Sequence, residues 1–165
     1  MTKFKDKTVL ITGGASGIGK LMAQKILSLG AAKMIIWDIN GENLENTTHE
    51  LKAPGFEIFP YQVDVADLEQ VKQTAQKVKD EVGVVDVLIN NAGVVVGKFF
   101  HEHSHQDIDF TMNINISALM HITLEFIHDM MDKEEGHIVN IASAAGMVAN
   151  PKMSVYCASK WSVIG

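Results

Sequence analysis

Two hydrophobic rhythms alternate along the chain. Short, nearly unbroken apolar runs fall at Thr8–Thr12, Lys33–Asp38, Glu57–Val63, Val85–Asn90 and His137–Ile141. Runs of this kind predict strands covered on both faces. Between them the apolar residues recur at helical spacing. Ile18, Leu21, Met22, Ile26 and Leu29 predict a helix leaving a glycine-rich turn, and a second helix is predicted near Glu42–Leu51. Over Asp67–Val82, Leu68, Val71, Ala75, Val78 and Val82 share one face. A longer helix is predicted over about Asp107–Met131, with Ser104 and Asp107 as a capping box. Strands alternating with helices predict an α/β fold: a doubly wound parallel sheet with helices on both faces. Such a sheet has six strands when complete. Five are read here, and the chain stops at Gly165 inside what reads as the next helix. The expectation is one domain over residues 1–165, truncated after the fifth strand and the start of that helix.

The turn after the first strand carries the first candidate chemistry. Thr12-Gly13-Gly14-Ala15-Ser16-Gly17-Ile18-Gly19 joins a strand to a helix. Its glycines let a ligand approach bare backbone. The following helix N-terminus aims unpaired N–H groups and a positive dipole end at that point, a geometry that suits a pyrophosphate. Asp38 closes the second strand, 19 residues after Gly19. A carboxylate at that distance can accept hydrogen bonds from adenosine ribose hydroxyls. It would repel a 2′-phosphate, and neither Ser16 nor Ile39 is basic. The cofactor expected is therefore NAD rather than NADP. Asp64-Val65 and Asn90-Asn91-Ala92-Gly93 end the third and fourth strands, where ligands bind in open α/β sheets.

Beyond the fifth strand come Ser143, then Tyr156 and Lys160. Residues i and i+4 share a helix face, so the lysine cation can stand beside the phenol. Holding a free tyrosine as phenolate at pH 7 costs about 4 kcal/mol, and a nearby ammonium lowers that cost.

Composition narrows the field. Net charge is −6 with no basic run, which argues against nucleic-acid partners. Cys157 is the single cysteine, so an internal disulfide is impossible and a reducing, cytoplasmic location is expected. The start of the chain, Met1–Lys7, is too polar for a signal peptide, and no apolar run is long enough to span a bilayer. His101-Glu102-His103-Ser104-His105 reads as a solvated loop rather than a metal site, since no spaced partner ligand accompanies it.

Taken together, Thr12-Gly13-x-x-x-Gly17-x-Gly19, Asn90-Asn91-Ala92-Gly93, Ser143 and Tyr156-x-x-x-Lys160 resemble the classical short-chain dehydrogenase/reductase family, over the whole chain. The resemblance implies a Rossmann fold and hydride transfer between a nicotinamide cofactor and an alcohol or carbonyl. It implies that Tyr156 is the acid/base, that Lys160 lowers its pKa and holds the nicotinamide ribose, and that Ser143 hydrogen-bonds the reacting oxygen. Asn115 matches the helix asparagine that supports a proton-relay water, with Asn113 as its rival. Gly13, Ser16, Gly17, Ile18, Gly19, Asp38, Asp64, Val65, Asn91, Ala92, Gly93, Tyr156 and Lys160 would hold the cofactor, with Asn90 beside them and Asp64-Val65 at the adenine. Trp37-Asp38-Ile39-Asn40, Gly136-His137-Ile138-Val139, Ala142-Ser143-Ala144-Ala145-Gly146 and Tyr156-Cys157-Ala158-Ser159-Lys160 resemble the 17-beta-hydroxysteroid and retinol dehydrogenase branch. Met147, Val148, Met153 and Val155 would suit an apolar, lipid-like alcohol. The resemblance also implies a homodimer or homotetramer for a full-length protein. Two other readings share these residues: a reductase of acyl-carrier-protein-linked carbonyls, and a non-catalytic, truncated dinucleotide-binding product.

Overall fold

The computed structural model describes residues 3–165; Met1 and Thr2, the first residues of the polar N-terminal stretch, lie outside the described residues. Strands β1 (Thr8–Thr12), β2 (Lys33–Asp38), β3 (Glu57–Gln62), β4 (Val87–Asn90) and β5 (His137–Asn140) form one sheet in the order β3-β2-β1-β4-β5. Every neighbouring pair is parallel. The strand order reverses between β1 and β4, which opens a crevice at their carboxyl ends.

Side chains alternate across a strand, and both faces here are apolar. Leu10, Ile35, Trp37 and Leu88 point to one side and pack with Val71 and Val78 of α3 (Leu68–Glu81) and Ile122 and Phe126 of α5 (Ala118–Asp132). Val9, Ile11, Met34, Ile36 and Ile89 point to the other and pack with α1 (Gly17–Ser28) and α2 (Gly41–Leu51). Trp37 meets Phe126 edge-on, with ring centroids 5.9 Å apart. At the opposite end from the crevice, buried Asp86 accepts the Thr8 N–H at 2.8 Å and pairs with Lys133, tying β1 to the end of α5.

Two helices differ from expectation. In α1 the buried residues are Gly19, Ala23, Ile26 and Leu27. Ile18, Leu21 and Leu29 are exposed, so that helix is rotated from the face its larger side chains suggest. Close packing of α1 on the sheet selects the small residues Gly19 and Ala23. The long helix is also not continuous. Its capping box forms as expected, with Asp107 N–H donating to Ser104 Oγ and Ser104 N–H to Asp107 Oδ2. The first segment, α4 (His105–Met112), then widens into a π-turn over Asn113–Ser117 before α5 begins. An i→i+5 turn shifts the helix register and re-aims one side chain; such turns are frequent at functional sites. Here the re-aimed residue is Asn115, which is buried while Asn113 is exposed. The last helix, α6 (Ser154–Ile164), packs against that π-turn, α4 and the short 144–146 turn. Among the described residues no helix is long and apolar enough to cross a membrane.

Candidate active site

The crevice between β1 and β4 holds a cleft of about 340 Å³. The glycine-rich turn forms its floor. Gly13 and Gly17 have φ of +62° and +51°, values that L side chains rarely adopt. A Cβ on Gly19 would lie 2.1 Å from the Gly13 carbonyl oxygen, so no other residue fits there. Ser16 caps α1 without spending its side chain on the helix, and the first turn contains no acidic residue. The N-terminal N–H groups and the positive end of the helix dipole are thus left to an anion in the cleft. Bare backbone, a helix N-terminus and space above Gly17 together fit the pyrophosphate of a dinucleotide.

The cleft walls come from strand ends. Asp38 Oδ2 accepts the Ala15 N–H at 3.0 Å and Oδ1 accepts the Asn40 N–H at 3.0 Å, which pins the carboxylate between the glycine turn and α2. Each oxygen keeps a lone pair for a ligand hydroxyl. Asp64 is fixed by the Ala66 N–H at 2.9 Å and lines the cleft with Val65. Asn91 donates from Nδ2 to the carbonyls of Thr12 and Gly13, both at 3.0 Å, stapling β4 to the turn. The N–H groups of Asn91 and Ala92 both donate to Thr12 Oγ1. Gly13, Ser16, Gly17, Ile18, Gly19, Asp38, Asp64, Val65, Asn91, Ala92 and Gly93 therefore all border one cavity.

Asn90 does not join them. Its Nδ2 turns away to donate to Thr123 Oγ1 at 3.0 Å and Asn140 Oδ1 at 2.9 Å, tying β4 to α5 and β5. Side chains alternate along a strand, so Asn90 and Asn91 cannot serve the same face. Ile39, Val63, Val94 and Ile114 line the cleft as well. Ile39 adjoins Asp38 as its place in the sequence implies, whereas Val63, Val94 and Ile114 went unread because an apolar lining residue looks like any core residue in sequence. Val94, directly after Gly93, is the one that position could have suggested.

Ser143, Tyr156 and Lys160 do not line that cleft; Ser143 follows β5, and Tyr156 and Lys160 stand on α6. Ser143 Oγ accepts the Ala145 N–H at 3.2 Å, and its own O–H is not used by any protein acceptor among the described residues. The turn it begins sits close on α6, since a Cβ on Gly146 would lie 2.7 Å from the Lys160 carbonyl oxygen. Tyr156 is half-buried, and its hydroxyl makes no hydrogen bond to protein among the described residues. Lys160 Nζ stands 5.9 Å from the centre of the Tyr156 ring and donates to the Ile141 carbonyl at 2.8 Å. Burial lowers the lysine pKa from its ordinary value. A Cβ on Gly93 would lie 3.6 Å from Lys160 Nζ and 3.2 Å from Asn115 Oδ1. The lysine ammonium and the asparagine therefore both adjoin the wall of the dinucleotide cleft. Met147 and Val148 are exposed just past Ser143, whereas Val155 is buried in the core and unavailable to a ligand. Among the described residues no group of three or more His, Cys, Asp or Glu could hold a metal ion.

Known proteins resemble this chain in sequence and in fold. The short chain dehydrogenase family profile matches residues 7–165. Estradiol 17-beta-dehydrogenase 11 of Macaca fascicularis is 40% identical over 157 residues, covering 95% of this chain and 52% of that protein. The chain thus spans about half the length of the curated relatives it matches. A short-chain dehydrogenase/reductase from Burkholderia phymatum, solved in complex with NAD, superposes with a TM-score of 0.94 at 36% identity, over 99% of this chain and 58% of that one. A metagenomic short-chain oxidoreductase in complex with NADP gives 0.92 at 30% identity, over 99% and 73%. On this evidence, with the likeness to a 17-beta-hydroxysteroid dehydrogenase drawn from sequence and that to dinucleotide-bound structures from the fold, the chain belongs to the short chain dehydrogenase family.

Proposed function

We propose that the protein is an NAD-dependent oxidoreductase acting on a secondary or lipid-like alcohol or the corresponding carbonyl. The observation that carries this reading is the approach of Lys160 Nζ to Gly93, which sets the Tyr156–Lys160 pair beside the wall of the dinucleotide cleft. When bound, the nicotinamide cofactor supplies the acceptor or donor of hydride. The protein supplies proton handling and alignment. Tyr156 takes the alcohol proton on its phenolic oxygen, or returns it to a carbonyl. The Lys160 ammonium stands beside the phenol, where it would stabilise a phenolate, and adjoins Gly93, where it would hold the nicotinamide ribose. The unspent Ser143 O–H donates to the reacting oxygen. Asn115 spends both N–H groups of its carboxamide on protein acceptors, so any relay water it supports is held by oxygen. Exposed Met147 and Val148 beside Ser143 favour an apolar substrate.

The preference for NAD rests on Asp38. Its tethered carboxylate would sit against a 2′-phosphate, and like charges at contact repel. Calorimetry on the complete natural chain is expected to show tighter binding of NADH than NADPH. Equal or reversed affinities would remove the assignment. Ile39 is 62% exposed at the cleft rim, so an arginine fits there without disturbing the core. The pair Asp38→Ala and Ile39→Arg is expected to reverse the preference, by removing repulsion and adding a phosphate partner.

The reading extends to assembly. Met120 and Leu124 on α5 and Trp161 on α6 are each more than half exposed. Apolar side chains repeated on two helices suit a homodimer or homotetramer contact. Light scattering at high protein concentration is expected to give a multiple of the chain mass. A strictly monomeric mass would rule this contact out.

A further inference from the structure

Asn115 and Ser159 form a buried relay that ends on the backbone of Tyr156. Asn115 Oδ1 accepts the Val94 N–H at 2.8 Å, and Nδ2 donates to the Val94 carbonyl at 3.0 Å. The asparagine is thereby locked to the cleft wall. Its second N–H donates to Ser159 Oγ at 2.9 Å. The Ser159 hydroxyl has one proton, and it goes to the Tyr156 carbonyl at 2.7 Å. Apart from the N–H that Asn115 returns to the Val94 carbonyl, the donors run from the cofactor wall through the π-turn into α6. Ser159 is 0% exposed and Asn115 2%, so both hydrogen bonds are shielded from bulk solvent.

We propose that Ser159 is a positioning residue, holding Tyr156 at a fixed distance from the cofactor wall by linking the Tyr156 carbonyl to Asn115. This rests on the reading of Tyr156 as the acid/base. Ser159 touches neither cleft nor phenol, and acts only through the helix turn that carries the tyrosine. α6 has no other side-chain hydrogen bond to the π-turn among the described residues, so without this link the Tyr156 turn is tied by apolar contact, the Lys160–Ile141 bond and the weak Cys157 Sγ–Val148 carbonyl bond, none of which reaches the π-turn. Reacting groups must sit within a few tenths of an ångström of their productive geometry, and small displacements are costly in rate.

The test is a comparison of Ser159→Ala in two backgrounds, native and Tyr156→Phe, in the complete natural chain with NAD(H) and a secondary alcohol. Turnover and NADH affinity are measured in each. Ser159→Ala is expected to lower kcat by about 3- to 10-fold in the native background, the range a single lost hydrogen bond commands. NADH affinity is expected to stay within about twofold, because the Asn115–Val94 bonds remain. In the Tyr156→Phe background the same substitution is expected to change nothing further, since there is no hydroxyl left to position. Ser159→Cys, which keeps the volume and a weak donor, is expected to recover part of the rate. An equal loss in both backgrounds would make Ser159 merely structural and overturn the proposal, as would no loss in either. If Ser159→Ala does not fold, Ser159→Cys is put through the same comparison. Loss of folding in both overturns the proposal in favour of a packing role. A Tyr156→Phe protein that keeps native turnover instead overturns the acid/base reading itself, a result distinct from all of these.

Discussion

Replacing Tyr156 with Phe is expected to cut turnover by at least about 10²-fold, the lower bound for removing a positioned acid/base group. The change deletes one oxygen. That oxygen makes no hydrogen bond to protein among the described residues, so its loss leaves no partner unsatisfied and the fold is expected to survive. The ring stays beside Lys160, so the α6 packing is kept. Dinucleotide binding is expected to persist, because the cleft is built from the glycine turn and the ends of β2, β3 and β4, away from the phenolic oxygen. Steady-state kinetics with a good secondary alcohol, alongside NADH titration and a thermal melt, separate the three quantities. Near-native turnover in the Phe variant would exclude Tyr156 as the proton carrier and with it the proposed mechanism.

How far this site can be read from sequence depends on how each residue earns its place. The strands were legible because parallel strands buried on both faces must be almost wholly apolar; Thr8–Thr12 and Lys33–Asp38 match their predicted limits. Gly13, Gly17 and Gly19 were legible because positive φ and a missing Cβ leave a mark in residue type. Asp38, Asn91, Tyr156 and Lys160 carry polar chemistry at spacings that place them at strand ends or on one helix face. What was not legible depends on three-dimensional register. The π-turn over Asn113–Ser117 has no spacing signature, since its sequence keeps the apolar pattern of an ordinary helix. The buried face of α1 was misread because large apolar residues were weighted over Gly19 and Ala23, although tight packing on the sheet favours the small ones. Asn90 and Asn91 are adjacent and alike, and only strand alternation separates a sheet staple from a cleft residue. Ser159 has no spacing signal of its own, because its place between Asn115 and the Tyr156 carbonyl exists only in three dimensions.

Lys160→Met is expected to change three observables together, and their joint movement distinguishes a cation that tunes the tyrosine from one that only binds cofactor. The first is turnover. An ammonium beside a phenol favours its deprotonated form, and Nζ lies 5.9 Å from the Tyr156 ring centre. Removing the ammonium takes that support away, so turnover is expected to fall. The second is the pH profile of alcohol oxidation. Oxidation needs the deprotonated phenol, so activity is expected to rise with pH. Without the cation that limb is expected to lie at higher pH, and the deficit relative to the native protein to shrink as pH rises. Burial holds the Lys160 pKa below its ordinary value. The third is NADH affinity, which is expected to weaken because Nζ adjoins Gly93 at the cleft wall and would no longer reach the ribose. Met keeps the length of the apolar stem. The Ile141 carbonyl loses its Nζ donor, a modest loss of about 1 kcal/mol that a thermal melt can register. A variant with weakened NADH binding but an unmoved pH limb would assign Lys160 to cofactor binding alone. A moved limb with native affinity would assign it to the tyrosine alone.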